Sequence, residues 1–185
     1  MVRAKWLLAS ALLVGLGAFG SGCENGGKAG GGMKSGMAPP FGGPDDVSRA
    51  TSLWRGTLQN YKSWPAYPGK SGWQPGKSPH GKVLRYYINA TAASNPAHPG
   101  YGSIIVKENY MKENGPLMAV TVMQKIRGYD KDDADWFWVK YSAKGDVMTN
   151  PKGMKLAGRV AKGMPQGCIA CHSNAGGGDF LFVND

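Results

Sequence analysis

The spacing of hydrophobic and polar positions changes along the chain. From Asp46 to Tyr61, apolar residues recur every three or four positions behind an acidic or hydroxyl capping residue, which predicts an amphipathic helix. Four later segments are rich in β-branched and aromatic residues and are bounded by turn formers, which is typical of strands. The predicted strands are Lys82–Asn89, Ser103–Tyr110, Leu117–Lys125 and Asp135–Ser142.

The short connections between these strands limit how the strands can pair. Asn114-Gly115-Pro116 and the acidic segment Asp130–Asp135 are predicted turns, and the acids of the second are expected to be solvated. Only the first connection has room for a crossover helix, so neighbouring strands should run antiparallel. We therefore predict a mainly β (α+β) fold, an antiparallel β-sheet domain with a few helices. A loop and a short helix should then lead to Gly167.

The amino-terminal pattern is different and indicates export. A basic start is followed by an apolar run from Trp6 to Phe19 and by small residues up to Cys23. The run is too short to span a bilayer comfortably, so residues 1–22 are interpreted as an export signal. Cys23 then resembles the acylated cysteine of a lipoprotein, although Gly20 stands where such sites usually carry an aliphatic residue. An ordinary signal peptide cut nearby is the alternative.

A second boundary follows from composition. Residues 23–46 are rich in Gly, Lys, Met and Pro and cannot bury enough apolar surface to fold, so we predict a flexible tether. The remaining residues, 47–185, are long enough for one compact domain, and they carry a C-terminal site of special chemistry.

That site is Cys168-Ile-Ala-Cys171-His172. Two thiols three positions apart can bond the two vinyl groups of a haem, while the histidine that follows binds the iron. We therefore predict one covalent haem c, attached through Cys168 and Cys171, with His172 as axial ligand. A redox disulfide, half of a zinc site and chance are the alternatives. Redox Cys-x-x-Cys pairs are not followed by a histidine, and a zinc site would need a second cysteine pair, which this sequence does not contain.

The group on the other side of the iron has to come from upstream, because residues 173–185 contain no Met. His80 is interpreted as a turn residue with a satisfied side chain, and a distal iron ligand is the alternative. Met118 and Met123 are interpreted as core residues, with iron ligation as the alternative.

Aromatic side chains flank the predicted site on both sides. Trp136 and Trp138 alternate with Phe137, so one face of their strand is expected to pack on haem and the other within the sheet. Phe180 and Phe182 follow the cysteine motif closely and are expected to pack against a haem edge.

An ordered series of segments suggests a family. It consists of Pro79-His80-Gly81, Val83–Asn89, Gly102–Glu108, Leu117–Lys125, Asp135–Trp138 and Cys168–His172. In this series, which runs from about Ser78 to Phe182, the chain resembles the cytochrome P460 family and its relatives, the beta-type cytochromes c-prime. The resemblance implies a mainly antiparallel β fold, often dimeric and periplasmic, with His172 as proximal ligand and an open or weakly filled distal side.

The resemblance also assigns a role to Lys107. In the P460 proteins, which oxidise hydroxylamine, a lysine in a Val-Lys-Glu stretch is crosslinked to the porphyrin, and Lys107 occupies that stretch; an ordinary outward lysine is the alternative. Hydroxylamine-oxidising members place a carboxylate on the next strand, but Leu117–Gln124 contains no acid. Because oxidation needs a nearby base, this departure favours small neutral ligands such as nitric oxide.

Three functions remain open: a haem enzyme acting on hydroxylamine or nitric oxide, a nitric oxide-binding module, and a simple electron carrier. The expected partners are the small nitrogen ligand, a soluble redox partner, the membrane through a lipid anchor, and a second copy in a homodimer. The net charge is +10, but its Lys and Arg residues are scattered without a dense basic run, so nucleic-acid binding is not expected. The basic surface instead suits haem propionates, an acidic redox partner or anionic lipid, or serves ordinary solubility.

Overall fold

A computed structural model describes residues 40–182, which form one antiparallel sheet with helices on both sides. Its six strands pair in chain order: β1 (Gln74–Pro75), β2 (Val83–Ile88), β3 (Ile104–Tyr110), β4 (Ala119–Lys125), β5 (Trp136–Ser142) and β6 (Ala157–Gly158). The α-helices are α1 (Pro44–Gly56), α2 (Ala90–Ser94) and α3 (Cys168–His172), and 3-10 helices span Leu58–Ser63 and Lys131–Asp133. The predicted mainly β fold is confirmed.

The four long strands lie within their predicted bounds, and the differences are local. The first helix stops being α-helical at Gly56 and continues as the 3-10 helix, because Thr57 leaves helical geometry with φ of −120°. Strands β1 and β6 have two residues each, too few to show a periodic pattern. The short helix expected before Gly167 was wrong: turns and β6 occupy that region, and a helix begins only after Gly167.

The folded part reaches into the predicted tether, since Phe41 is buried and α1 begins at Pro44. The predicted export signal, the rest of the tether and Cys23 lie outside the described residues. Within residues 40–182, every helix is too short or too polar to cross a bilayer.

Both faces of the sheet are covered, which explains why its strands are apolar on both sides. On one side, which we call the helix face, Val106, Val122 and Phe137 belong to a core that includes residues of α1 and of the following 3-10 helix. On the other, the C-terminal face, Met123 and Trp138 belong to a core with residues of the C-terminal segment. Phe137 and Trp138 therefore lie on opposite faces, as their alternation predicts.

A carboxylate is fully buried on the helix face. Glu108 accepts hydrogen bonds from the hydroxyls of Tyr61 at 2.7 Å, Tyr110 at 2.8 Å and Tyr87 at 3.1 Å, and Lys62 Nζ lies 3.3 Å away. Burial alone would raise the pKa of Glu108, but the hydrogen bonds and the Lys62 ammonium outweigh it and hold this pKa below its usual value. Charge and hydrogen bonding thus compensate the desolvation of this group.

Acidification should weaken the fold through Glu108. Its pKa is lower in the folded protein than in the unfolded chain, where it is about 4.3, so its stabilisation is complete above the unfolded value and is lost as pH falls through the folded one. We expect Glu108→Gln to flatten the decrease of the unfolding free energy between about pH 5 and pH 3. Urea unfolding followed by circular dichroism at each pH measures this dependence of the unfolding free energy on pH. Exposed Glu113→Gln is the control, and a wild-type slope in Glu108→Gln would contradict the assignment.

The acidic turn before β5 is only partly solvated, contrary to expectation. Asp130 and Asp135 are buried. Asp135 accepts hydrogen bonds from the backbone N–H groups of Gly128 and Asp130 and from the Tyr101 hydroxyl, while Asp130 pairs with Lys162. Hydrogen bonds and an ion pair of these carboxylates therefore hold the turn together.

Candidate functional site

The cysteine motif is presented by a single helical turn. Gly167 precedes α3 with φ of +143°, and a Cβ on it would lie 2.1 Å from the Cβ of Ala161, so glycine is required there. Ile169 is buried and anchors the turn, while Cys168 is half-buried, Cys171 is exposed and His172 is buried.

A cavity of about 570 Å³, counted with its open mouth, lies between α3 and the C-terminal face of the sheet. The side chains that line it come from the loop before β2, from β3, β4 and β5, and from α3: His80, Ile105, Lys107, Thr121, Met123, Trp138, Lys140, Cys168, Cys171 and His172. The structure thus brings the cysteine motif and Lys107 together.

His172 is prepared to bind a metal through one nitrogen. Its Nδ1 lies 2.7 Å from the carbonyl oxygen of Phe180, which can only accept, so Nδ1 carries the proton and Nε2 offers a lone pair. Burial, and then the Lys107 charge, lower the pKa of His172 to about 3, which keeps the ring neutral. The Phe180 carbonyl is held by its neighbour Asp179, whose backbone oxygen accepts from Trp136 Nε1 and whose carboxylate pairs with Lys125 at 2.5 Å.

The two cysteines are not joined in a disulfide. Burial raises the pKa of the Cys168 thiol to about 11, whereas reactive redox pairs depend on a lowered thiol pKa. This environment argues against the redox-disulfide alternative for the motif.

Lys107 points into the cavity from β3. It is half-buried, faces Tyr86 of β2 and Thr121 of β4 in the strand register, and holds its Nζ 5.4 Å from the centre of the Tyr86 ring. Burial lowers its pKa to about 8, although thiolate charge at Cys171 and Cys168 would act in the opposite direction. A larger fraction of this amine is therefore neutral, and nucleophilic, than of a solvated lysine.

The comparison with protein families is consistent with the grouping of Cys168, Cys171 and His172 in one cavity. The family model described as Cytochrome P460 matches residues 58–183, which include the sheet and α3 but not α1. The chain belongs to the cytochrome P460 family. Membership implies a haem cofactor. No curated protein matches the chain.

The cavity of this cytochrome P460 fits a covalently attached haem. Cys168, Cys171 and His172 line one space, and the imidazole of His172 keeps one nitrogen unprotonated, as haem c attachment requires. Trp138 is 3% exposed, and its Nε1 has no hydrogen-bond acceptor among the described residues. A buried indole N–H usually finds a partner, so this donor suits a polar group of a bound cofactor. Cys168 and Cys171 would hold the haem and His172 would bind its iron.

Phe180 and Phe182, the two residues expected to pack against a haem edge, lie in different environments. Phe180 packs against Trp138 with ring centres 6.4 Å apart and supplies the carbonyl for His172. Phe182 is 42% exposed, with its ring centre 5.3 Å from that of His172. Of the two methionines considered as ligands, Met123 lines the cavity as part of the core, whereas Met118 is exposed and outside the lining.

The sequence did not indicate that Asn109 and Thr121 contact His80, or that His80 lines the cavity. Asn109 Oδ1 lies 3.0 Å from His80 Nδ1, and Thr121 Oγ1 lies 3.4 Å from the same nitrogen. His80 therefore has the satisfied side chain that was predicted, but it also lines the cavity. Strand alternation could have placed Asn109 on the face of Lys107, two positions earlier, but its partner depends on how the loop before β2 folds.

Proposed function

We propose that this cytochrome P460 is an exported protein with one haem c that binds or oxidises a small nitrogen species, hydroxylamine or nitric oxide. The observation that carries the proposal is the partly desolvated Lys107 amine in the cavity of Cys168, Cys171 and His172. The haem would supply an iron that changes oxidation state and binds such ligands. Lys107 would form the family's crosslink to the porphyrin edge, which would alter the electronic properties of the cofactor. In that step the new nitrogen–carbon bond would replace one N–H and one C–H bond, and two protons and two electrons would leave to an external oxidant such as a peroxide.

The remaining cavity residues favour ligand binding over hydroxylamine oxidation. Ile105, Met123 and Trp138 supply apolar walls that exclude water. Within residues 40–182 the lining includes no Asp or Glu, and β4 presents Thr121 and Met123 instead. Hydroxylamine oxidation releases protons and requires a base within hydrogen-bond reach, which here would have to be the His80 imidazole, because the described lining holds no carboxylate. Binding nitric oxide requires no base. A nitric oxide-binding protein is therefore the form of the proposal that this cavity supports best.

Cellular placement follows from the amino-terminal pattern and the charge. We propose a periplasmic domain anchored by lipid on Cys23 and tethered by residues 23–46. The net charge of +10 suits an acidic soluble redox partner, with a homodimer as in other family members. Palmitate labelling of the wild type, with loss of the label in Cys23→Ala, tests the anchor.

Replacing Lys107 should change the cofactor covalently. In the wild type, protease digestion should yield one haem-bearing species that joins the Cys168–His172 peptide to a Lys107 peptide, and the reduced Soret band should lie far to the red of ordinary haem c. In Lys107→Leu the species should contain the cysteine peptide alone and the band should return to its ordinary position, because no amine is left to bond the porphyrin. Mass spectrometry and visible spectra measure both.

Lys140→Leu is the matched control, because Lys140 also lines the cavity while its Nζ donates to the carbonyl of Pro79. This variant should keep the crosslinked species and the displaced band. A wild-type digest that contains only the cysteine peptide would refute the crosslink. Nitric oxide and hydroxylamine titrations of the same sample then separate the functions: binding without turnover supports the binding protein, and acceptor reduction by hydroxylamine supports the enzyme. No response to either would leave an electron carrier.

A further inference from the structure

The segment before Leu181 has a backbone conformation that residues with side chains rarely adopt. Gly178, Asp179 and Phe180 have φ of +77°, +56° and +61°, so three consecutive residues lie in the left-handed region. An aspartate tolerates this region better than most residues, but a bulky residue such as Phe180 is unfavourable there. This left-handed turn therefore has to be stabilised by contacts with the rest of the protein.

The left-handed turn directs one peptide group toward His172. The N–H of Leu181 donates to the carbonyl of Gly178 at 3.2 Å, which closes the turn. In a trans peptide the N–H and the preceding carbonyl point in opposite directions, so the carbonyl of Phe180 points away from the turn. That carbonyl oxygen lies 2.7 Å from His172 Nδ1. The conformation of the turn thus sets the geometry of the hydrogen bond on this imidazole.

Asp179 connects the turn to the sheet through both its backbone and its side chain. Its carbonyl accepts a hydrogen bond from Trp136 Nε1 at 3.0 Å, and its carboxylate lies 2.5 Å from Lys125 Nζ. Lys125 and Trp136 face each other in the β4–β5 register, and the ammonium lies 5.3 Å from the centre of the indole ring. Two adjacent strands of the sheet therefore hold the residue that precedes Phe180.

These three contacting side chains are shielded from water. Those of Lys125 and Asp179 are each 14% exposed, and Trp136 is completely buried. Solvent and salt screen such a pair only weakly, and removing one charge leaves the other without compensation. The ion pair is therefore a strong constraint on the turn, unlike a pair on the open surface.

We propose that Asp179, held by Lys125 and Trp136, is the positioning residue for the proximal imidazole and thereby sets the reduction potential of the haem iron. The inference rests on the proposed haem attachment and is compatible with the open distal side that the resemblance implies. A hydrogen bond from Nδ1 makes Nε2 of His172 more basic, so this ligand donates more charge to the iron. Greater donation stabilises the ferric state and lowers the potential.

Asp179→Asn isolates the carboxylate, because asparagine tolerates a left-handed backbone as aspartate does but cannot form the ion pair. In the matured protein, the iron–histidine stretching frequency of the reduced form should fall, because the hydrogen bond from His172 to Phe180 weakens. Reduction should become about tenfold more favourable, which raises the potential by about 59 mV for one electron. Resonance Raman spectroscopy and a redox titration measure these two quantities.

Removing a carboxylate would raise the potential through charge alone, so a charge-neutral variant separates the two explanations. Lys125→Met/Asp179→Asn removes one charge of each sign, and charge alone predicts no change in its potential. The positioning role predicts the lower frequency and the higher potential of Asp179→Asn. Lys125→Arg keeps a cation for the carboxylate and should keep most of the wild-type frequency. The control is Asp45→Asn, which removes an exposed carboxylate of α1 and should keep both values.

A wild-type frequency and potential in the charge-neutral variant would overturn the positioning role. If that variant does not fold, an unchanged frequency in Asp179→Asn would do so, because charge alone has little effect on the iron–histidine bond. Haem that remains attached under denaturing conditions reports the thioether bonds in each sample. Attached haem with unchanged values would therefore refute the role of Asp179 alone, and a wild type without attached haem would refute both proposals.

Discussion

Replacing both Cys168 and Cys171 with alanine should abolish covalent haem. In a host competent in cytochrome maturation, the wild type should keep its haem through acidic solvent extraction. The double variant should lose all of it, because no thioether bond then fixes the porphyrin beside Lys107 for the crosslink to form. The reason is that Cys168 and Cys171 line the same cavity as His172, and no other described residue offers a thiol to a vinyl group. Mass spectrometry of the denatured chain should show a mass lower by one haem than the attached form.

Ser173→Ala controls for a change at the end of the same helical turn, since Ser173 is exposed and its hydroxyl donates to the backbone carbonyl of Ala170. It should keep the covalent haem. Each single cysteine variant should retain a haem on one thioether bond and show a shifted spectrum. If both thiols of the coloured wild type react with an alkylating reagent after denaturation, attachment through these residues is wrong.

Truncating Glu108 should produce a large loss of stability. Glu108→Ala removes the common acceptor of Tyr61, Tyr87 and Tyr110 and leaves a void where the carboxylate was. Each of the three tyrosine hydroxyls left without its acceptor costs about 1–3 kcal/mol, whereas the exposed Lys62 ammonium returns to water. We expect the free energy of unfolding to fall by about 3 kcal/mol or more, measured by urea unfolding of the haem-loaded protein.

Two control variants of Glu108→Ala should cost progressively less stability. Tyr110→Phe removes one donor and leaves the carboxylate, so it should cost about 1 kcal/mol. Glu113→Ala changes an exposed carboxylate in the β3–β4 connection and should leave stability nearly unchanged. Because Glu108 lies on the face opposite the cavity, any Glu108→Ala protein that folds should keep the wild-type haem spectrum. A destabilisation below 1 kcal/mol would contradict the central place of this carboxylate.

The sheet could be predicted from sequence because its signals are local. Each long strand carries enough β-branched and aromatic residues for its own pattern to be visible, as in β5 with Trp136, Phe137 and Trp138. Two-residue strands such as β6 form only through pairing with a neighbour, so nothing in Ala157–Gly158 itself predicts them. The covalent motif was equally visible, since its five residues are contiguous.

The surroundings of the motif could not be predicted in this way, because they join distant parts of the chain. The Nδ1 partner of His172 is a backbone carbonyl, and any residue at position 180 would supply one. The proximity of Asn109 to His80 depends on β2–β3 register and on the path of a loop. Local sequence signals carry element type and covalent chemistry, whereas the orientation of polar groups in the cavity emerges only from tertiary packing.

Lys107 and Glu108 are neighbours in β3, yet one belongs to the cavity and the other to the buried tyrosine cluster. If β3 paired one residue out of step with β2 and β4, all its side chains would exchange faces. The ammonium of Lys107 would then enter the tyrosine core, and the carboxylate of Glu108 would enter the cofactor cavity. The misaligned pairing would therefore be unfavourable on both faces of the sheet. The two adjacent charges thus help to specify the register of β3, and they do so before any haem is attached.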